Sequence, residues 1–322
     1  MKRLLIVVAL LSLAAPANAY VRTRSSTGTG VPAYWPGGCV FVQPDSAGTP
    51  DMPLADVVRI VTKSVANWMT PEAACGYLKL SVDPSAPGEA HYDGTNVVKF
   101  RTDKWCHPED AQDHDVCYDQ HAAAITSVFM INDGDPSDGL ILDADIEMND
   151  INFTFVEVLA GVPLGTPRAG TSVADLENTL THELGHLLGL SHTCRDAASF
   201  KNDVDETGAQ PPLCDDVKTL PKAEQDKIVL ATMYNFAQPG EVTKRSPTDD
   251  DIAGVCNAYP LAALGDKTCD HTILTRYTKR GGCDMGRPGG GEFPGRGLLW
   301  LGLIAVGLFV VRARRRLGRQ VP

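Results

Sequence analysis

Residues 181–192 (THELGHLLGLSH) constrain this 322-residue chain more than any other segment. On a helix His182 and His186 are four residues apart, so both imidazoles project from one side. Two such nitrogens can share one zinc ion at about 2.0–2.1 Å. Glu183 follows the first histidine, so its carboxylate can reach a water on the metal without ligating the metal itself. Gly189 can adopt a left-handed conformation and end the helix. The chain then turns back and offers His192 as third ligand. Three neutral imidazoles leave a fourth position open, the pattern of a catalytic site and not of a closed structural one. Five defined residues at fixed spacing recur by chance on the order of once in several thousand chains of this length. Three of the eight histidines sit in this one segment.

A segment of this kind needs a folded body around it, and the composition supplies one. At 43% apolar and 21% charged residues the chain is ordinary globular protein. The net charge of −11 conceals a split: residues 20–286 carry 20 basic and 39 acidic side chains, and the basic excess lies at the two ends. So acidic a body repels phosphates, which argues against a nucleic-acid partner.

The pattern along the body is that of a mixed sheet with three main helices, an α+β chain. Apolar residues spaced by three and four (Leu54, Val57, Val58, Val61, Val65, Trp68) mark a first helix, opened by Pro53 and ended by Pro71. Strands are expected at 40–42, 77–82, 96–100, 124–131 and 140–147, with 153–158 as a further candidate. A second helix is expected from about Val173 to Leu188, capped by Thr171 or Ser172, and a third near 248–258. Residues 101–122 form a polar loop pinned by a disulfide, and 191–231 a long polar insertion.

Both termini carry address-like segments. Residues 1–19 have a charged start (Lys2, Arg3), an apolar run and a small-residue Ala17-Asn18-Ala19 site, the features of a cleaved secretory signal. Residues 20–30 are a short N-terminal segment. At the other end, 261–296 form a Gly-rich linker with Cys283, and 297–322 a short apolar helix with an Arg-rich tail. The 15 uncharged residues of 297–311 are short for a bilayer core of about 30 Å, but the arginines after them fit a positive-inside stop. The chain is therefore expected to be exported and held at the cell surface, or released after tail processing.

An exported chain meets an oxidising compartment, and the nine cysteines are read accordingly. Neighbour pairing gives 39–75, 106–117, 194–214 and 256–269. Cys283 is left for processing or lipidation, with a bond to Cys269 as the alternative.

The His-Glu-x-x-His-x-x-Gly-x-x-His spacing of His182–His192 resembles the metzincin metalloprotease signature. Met233, in Ala231-Thr-Met-Tyr-Asn235, resembles that family's Met-turn. Met233-Tyr234, Ser191-His192 and the 249–259 segment look most like the matrixin branch, over residues 31–260. Cys283 in its Gly-rich spacer, followed by the apolar run and Arg cluster, resembles a Myxo-CTERM surface-sorting tail. The resemblance implies a mostly parallel twisted sheet, with an active-site cleft between upper and lower subdomains. It implies a monomeric zinc endopeptidase acting on proteins or peptides, with zinc-activated water and Glu183 as general acid and base. Substrate would lie extended along the strand near 124–131. It also makes calcium a candidate cofactor, with Asp133, Asp135, Asp138, Glu147 and Asp150 as candidate ligands. The insertion 193–231 is longer than the matrixin pattern. The alternative function is a surface-anchored, calcium-stabilised adhesion module that keeps a metal site without turnover. The tail would bring the chain to a membrane before processing, or in its absence.

Overall fold

A computed structural model describes residues 19–25, 30–107, 116–132, 134, 136–196, 204–265 and 269. The signal segment, most of the linker with Cys283, the terminal apolar run, Asp133 and Asp135 lie outside the described residues. Among those described, no helix is long and apolar enough to cross a membrane.

The chain is α+β. Twelve strands are described, β1 (Val21–Arg22), β2 (Cys39–Pro44), β3 (Lys79–Val82), β4 (Asn96–Arg101), β5 (Cys106–His107), β6 (Val116–Cys117), β7 (Ala124–Met130), β8 (Ile141–Asn149), β9 (Phe153–Val156), β10 (Ser172–Asp175), β11 (Leu190–Ser191) and β12 (Val204–Asp205). The helices are α1 (Leu54–Glu72), α2 (Leu176–Leu187), α3 (Lys222–Leu230) and α4 (Asp249–Ala258). The main sheet has five strands in the order β3-β2-β4-β8-β7. Its first three pairings are parallel, and only the edge strand β7 runs antiparallel, against β8.

The sheet's register explains which side chains it buries. Along β8 successive side chains alternate faces. Ala144, Ile146 and Met148 enter the main core, while Asp143, Asp145, Glu147 and Asn149 project to the other face and are also fully buried. The α1 stripe Val57, Ile60, Val61, Val65 and Trp68 packs into the same core, with α1 lying against α2 and α4.

Several expectations need correction. The second helix begins at Leu176, not Val173, because Ser172–Asp175 pairs in parallel with β9 as a strand. Its cap is Asp175, whose carboxylate accepts from Asn178 N at 2.8 Å, and not Thr171 or Ser172. Strands β9 and β10 form their own two-stranded sheet. Helix α1 carries Pro71 inside its last turn and ends one residue later. A fourth helix, α3, lies inside the expected polar insertion.

Cystines 106–117 and 194–214 form as expected. The other two pairings are Cys39–Cys269 and Cys75–Cys256, in place of 39–75 and 256–269. The reason is packing. Cys75 follows α1 and Cys256 lies on α4, and those helices are neighbours. Backbone bonds Tyr77 N to Tyr259 O (2.8 Å) and Leu261 N to Cys75 O (3.0 Å) close the same seam.

Candidate metal centre

Helix α2 is buried on every side, so its polar residues can persist there only with defined partners. Its last turns carry His182, Glu183 and His186. Gly189 ends it at φ +91°, in the left-handed region. A Cβ at Gly189 would stand 3.0 Å from Ala33 O, so the close approach also favours glycine. The chain then reverses into β11, and half-buried His192 returns to the end of the helix.

The three imidazoles converge. His182 Nε2 lies 3.2 Å from His186 Nε2 and 3.2 Å from His192 Nε2. His182 Nδ1 donates to Thr232 O at 2.6 Å, and His186 Nδ1 donates to Leu190 O at 2.8 Å. With the proton on Nδ1, Nε2 of His182 and of His186 each presents a lone pair to the common centre, which Nε2 of His192 also faces. Burial holds all three rings below the usual histidine range, His186 down to about 4, so they stay neutral. Lone pairs facing one another at this distance repel unless a cation sits among them. Nitrogens about 2.05 Å from a tetrahedral zinc are about 3.3 Å apart, close to the separation seen. The donor set therefore fits a zinc ion. Among the described residues this is the one group of three or more His, Cys, Asp or Glu with ligand atoms in mutual reach.

Glu183 sits beside them with no exposed surface. Its Oε2 accepts from Thr126 Oγ1 on β7 at 2.8 Å, while Oε1 is buried with no partner. Burial pushes this carboxyl up to about 8, against the Thr126 hydrogen bond, which lowers it. A cation at the histidines would pull it back towards the ionised form.

Met233 is buried beneath the helix. A Cβ on Gly185 would stand 2.2 Å from its sulfur and 2.9 Å from Trp68, so the glycine inside the motif is a packing requirement. The Met233 turn is itself anchored. Asp251 of α4 accepts from Thr232 N at 2.8 Å and Met233 N at 3.3 Å, and forms a capping box with Thr248. Trp68 Nε1 donates to Thr181 O (2.8 Å), Trp35 Nε1 to Leu187 O (2.7 Å) and Tyr259 OH to Leu188 O (3.0 Å). These aromatic donors fix the helix that carries the ligands.

Thr126, Asp251 and the Thr232 carbonyl carry no sequence motif that marks them as parts of the site. Thr126 stands in a run of ordinary strand residues. Asp251 is one of three consecutive aspartates, of which it alone is fully buried.

The described calcium candidates do not come together. Glu147 Oε1 accepts from His107 Nδ1 and Tyr118 OH, both at 2.9 Å, and Oε2 pairs with Arg101 at 2.5 Å. Asp138 accepts from Gly134 N within its own turn. Asp150 pairs with Arg168 at 2.5 Å.

No family model matches this chain, and no curated protein matches it. Among solved structures, the GM1-bound form of the ECX AB5 holotoxin is similar at 11% identity over 75% of this chain and 88% of that one. Its TM-score is 0.35, too low to carry an argument.

Proposed function

We propose that the chain is a zinc-dependent metallopeptidase of metzincin type, closest to the matrixin pattern. The observation that carries this is the convergence of three neutral Nε2 donors beside a buried carboxylate with one free oxygen. The sheet order, with one antiparallel edge strand next to the ligand helix, and Met233 under the histidines support the same reading.

His182, His186 and His192 would hold the ion, which when bound supplies a Lewis-acid centre that activates water and polarises a carbonyl. Glu183 takes the proton from the attacking water on its free Oε1 and delivers it to the departing amine. Thr126 holds the other carboxylate oxygen, so that Oε1 stays aimed at the reacting atoms. Among the described strands β7 pairs with β8 alone, and its outer edge would take an extended substrate backbone. Substrates are then extracellular proteins or peptides. Export, surface retention through the tail, a monomeric state and bound calcium belong to the same proposal.

The test is casein cleavage by the full-length protein, with and without a chelator, beside Glu183→Ala. Wild type should cleave, and the variant and the chelated sample should lose activity by about 10²–10⁴-fold. Equal cleavage by wild type and Glu183→Ala overturns the reading, as does purified protein with almost no zinc. Binding of a surface ligand with no turnover would favour the adhesion module instead.

A further inference from the structure

The turn that leads to His192 is held by a segment far away in the sequence. Strand β1, near the start of the chain, is the central strand of the sheet β11-β1-β12. Val21 lies opposite Ser191, and Arg22 opposite Leu190. Three donors from this region then fall on two consecutive carbonyls of the turn. Gly189 O accepts from Thr23 N at 3.0 Å and from Arg22 Nε at 3.3 Å. Leu190 O accepts from the Thr23 hydroxyl at 3.1 Å. The side-chain bonds join residues 167 positions apart.

The Leu190 carbonyl has a second task. It also accepts from His186 Nδ1 at 2.8 Å, the bond that leaves Nε2 of that ring facing the other histidines. The Thr23 hydroxyl and the His186 ring therefore share one oxygen, and where that oxygen sits decides where the ring points. Arg22 braces the same turn. Its guanidinium, 7% exposed, spans from Gly189 O to Ala33 O. Ala33 N in turn donates to Thr23 O at 2.7 Å. Burial holds this guanidinium below the usual arginine range, and the nearby charges acting on it include no carboxylate. A buried cation held by carbonyls is costly. What it contributes is a rigid fork of donors that ties two loops together.

We propose that Arg22 and Thr23 are positioning residues of the metal centre. They fix the Gly189–Leu190 turn, and through it the His186 ring and the return of the chain to His192, and so set the affinity for the metal. This rests on the reading of the three histidines as a metal site, not on peptidase activity. The centre is then complete only when the start of the chain has docked on β11.

The test is the zinc affinity of the full-length protein by chelator competition, with the absorption bands of the cobalt-loaded protein as a report on ligand geometry. Thr23→Val keeps the shape and removes the hydroxyl. It should bind zinc about tenfold more weakly than wild type and shift the cobalt bands. Thr23→Ser, which keeps the hydroxyl, should restore both. Arg22→Met should weaken zinc binding about 10–100-fold, and Arg22→Lys, with a point charge in place of the fork, should recover only part of the loss. The comparison is Arg101→Met, which removes another buried cation, one paired with Glu89 and Glu147 instead of this turn. It should leave affinity and bands unchanged. Wild-type affinity and spectrum in folded Thr23→Val and Arg22→Met overturn the proposal. So does an equal loss in Arg101→Met, because the effect is then general destabilisation. A wild type that takes up neither zinc nor cobalt overturns the metal-site reading itself.

Discussion

Two clusters of titratable side chains lie largely buried in this molecule and are arranged differently. On β8 the carboxylates meet donors. Glu147 has Arg101, His107 and Tyr118, Asp143 accepts from Asp93 N (2.7 Å) and Gly94 N (2.8 Å), and Asp145 accepts from Val97 N (2.9 Å). At the end of α2 the outer nitrogens of His182 and His186 are satisfied by backbone carbonyls, and the inner nitrogen of His182 lies 3.2 Å from those of both His186 and His192. The first arrangement is satisfied most fully at Glu147, whereas Asp143 Oδ1 and Asp145 Oδ2 stay buried without a partner and burial raises both carboxyls. The second gathers neutral ring nitrogens around one point where a cation could sit. Neither burial nor an unused oxygen therefore marks a candidate metal site by itself; the convergence of several donor atoms on one point does.

The largest effect should come from breaking the open cluster. His186→Ala should reduce bound zinc from about one ion per chain to almost none and abolish peptide cleavage, read by metal analysis and casein assay. Breaking the closed cluster should do the reverse. Arg101→Met leaves Glu147 buried without its cation and should cost about 3–5 kcal/mol in urea unfolding, while zinc per folded chain stays unchanged. Loss of zinc in that variant would collapse the distinction between the two regions.

A smaller effect should follow from the support of the metal site. Asp251→Asn weakens the hold on the Thr232–Met233 turn that orients His182. It should lower zinc affinity about 10–100-fold in a chelator competition, with the other ligands intact.

The smallest, taken per pH unit, is an effect confined to the carboxylates. Burial pushes Asp143 up to about 7 from its ordinary 3.8. The folded state thus keeps a proton that the unfolded chain has already released. Its contribution to stability is fully present below about pH 4 and is lost as pH rises towards 7. Wild type should lose on the order of 1 kcal/mol per pH unit across this window relative to Asp143→Asn. Parallel pH profiles of the two proteins would refute the assignment.

Much of this was legible in the chain. The α1 stripe, the central strands and α4 follow from spacing alone, because period-2 and period-3.6 patterns are local. Where sequence reading went astray, a distant partner decided. Val173–Asp175 reads as the start of a helix, but β9 captures it as a strand. The cysteines nearest in sequence are not paired at 39, 75, 256 and 269, because the α1–α4 seam brings together residues 181 positions apart. Thr126 carries no motif and enters the site only because β7 packs against α2.

The sequence by itself determined the donor set and its local geometry. Helix pitch places His182 and His186 together, and a glycine permits the turn before His192. Only the tertiary structure decided the tautomers, through the carbonyls of Thr232 and Leu190, and the burial that keeps all three rings neutral. It also decided which oxygen of Glu183 stays free. Spacing along one helix is set by covalent geometry and needs no partner. Protonation, burial and the direction of a lone pair depend on atoms supplied by distant segments, and these exist at the site only once the core has packed.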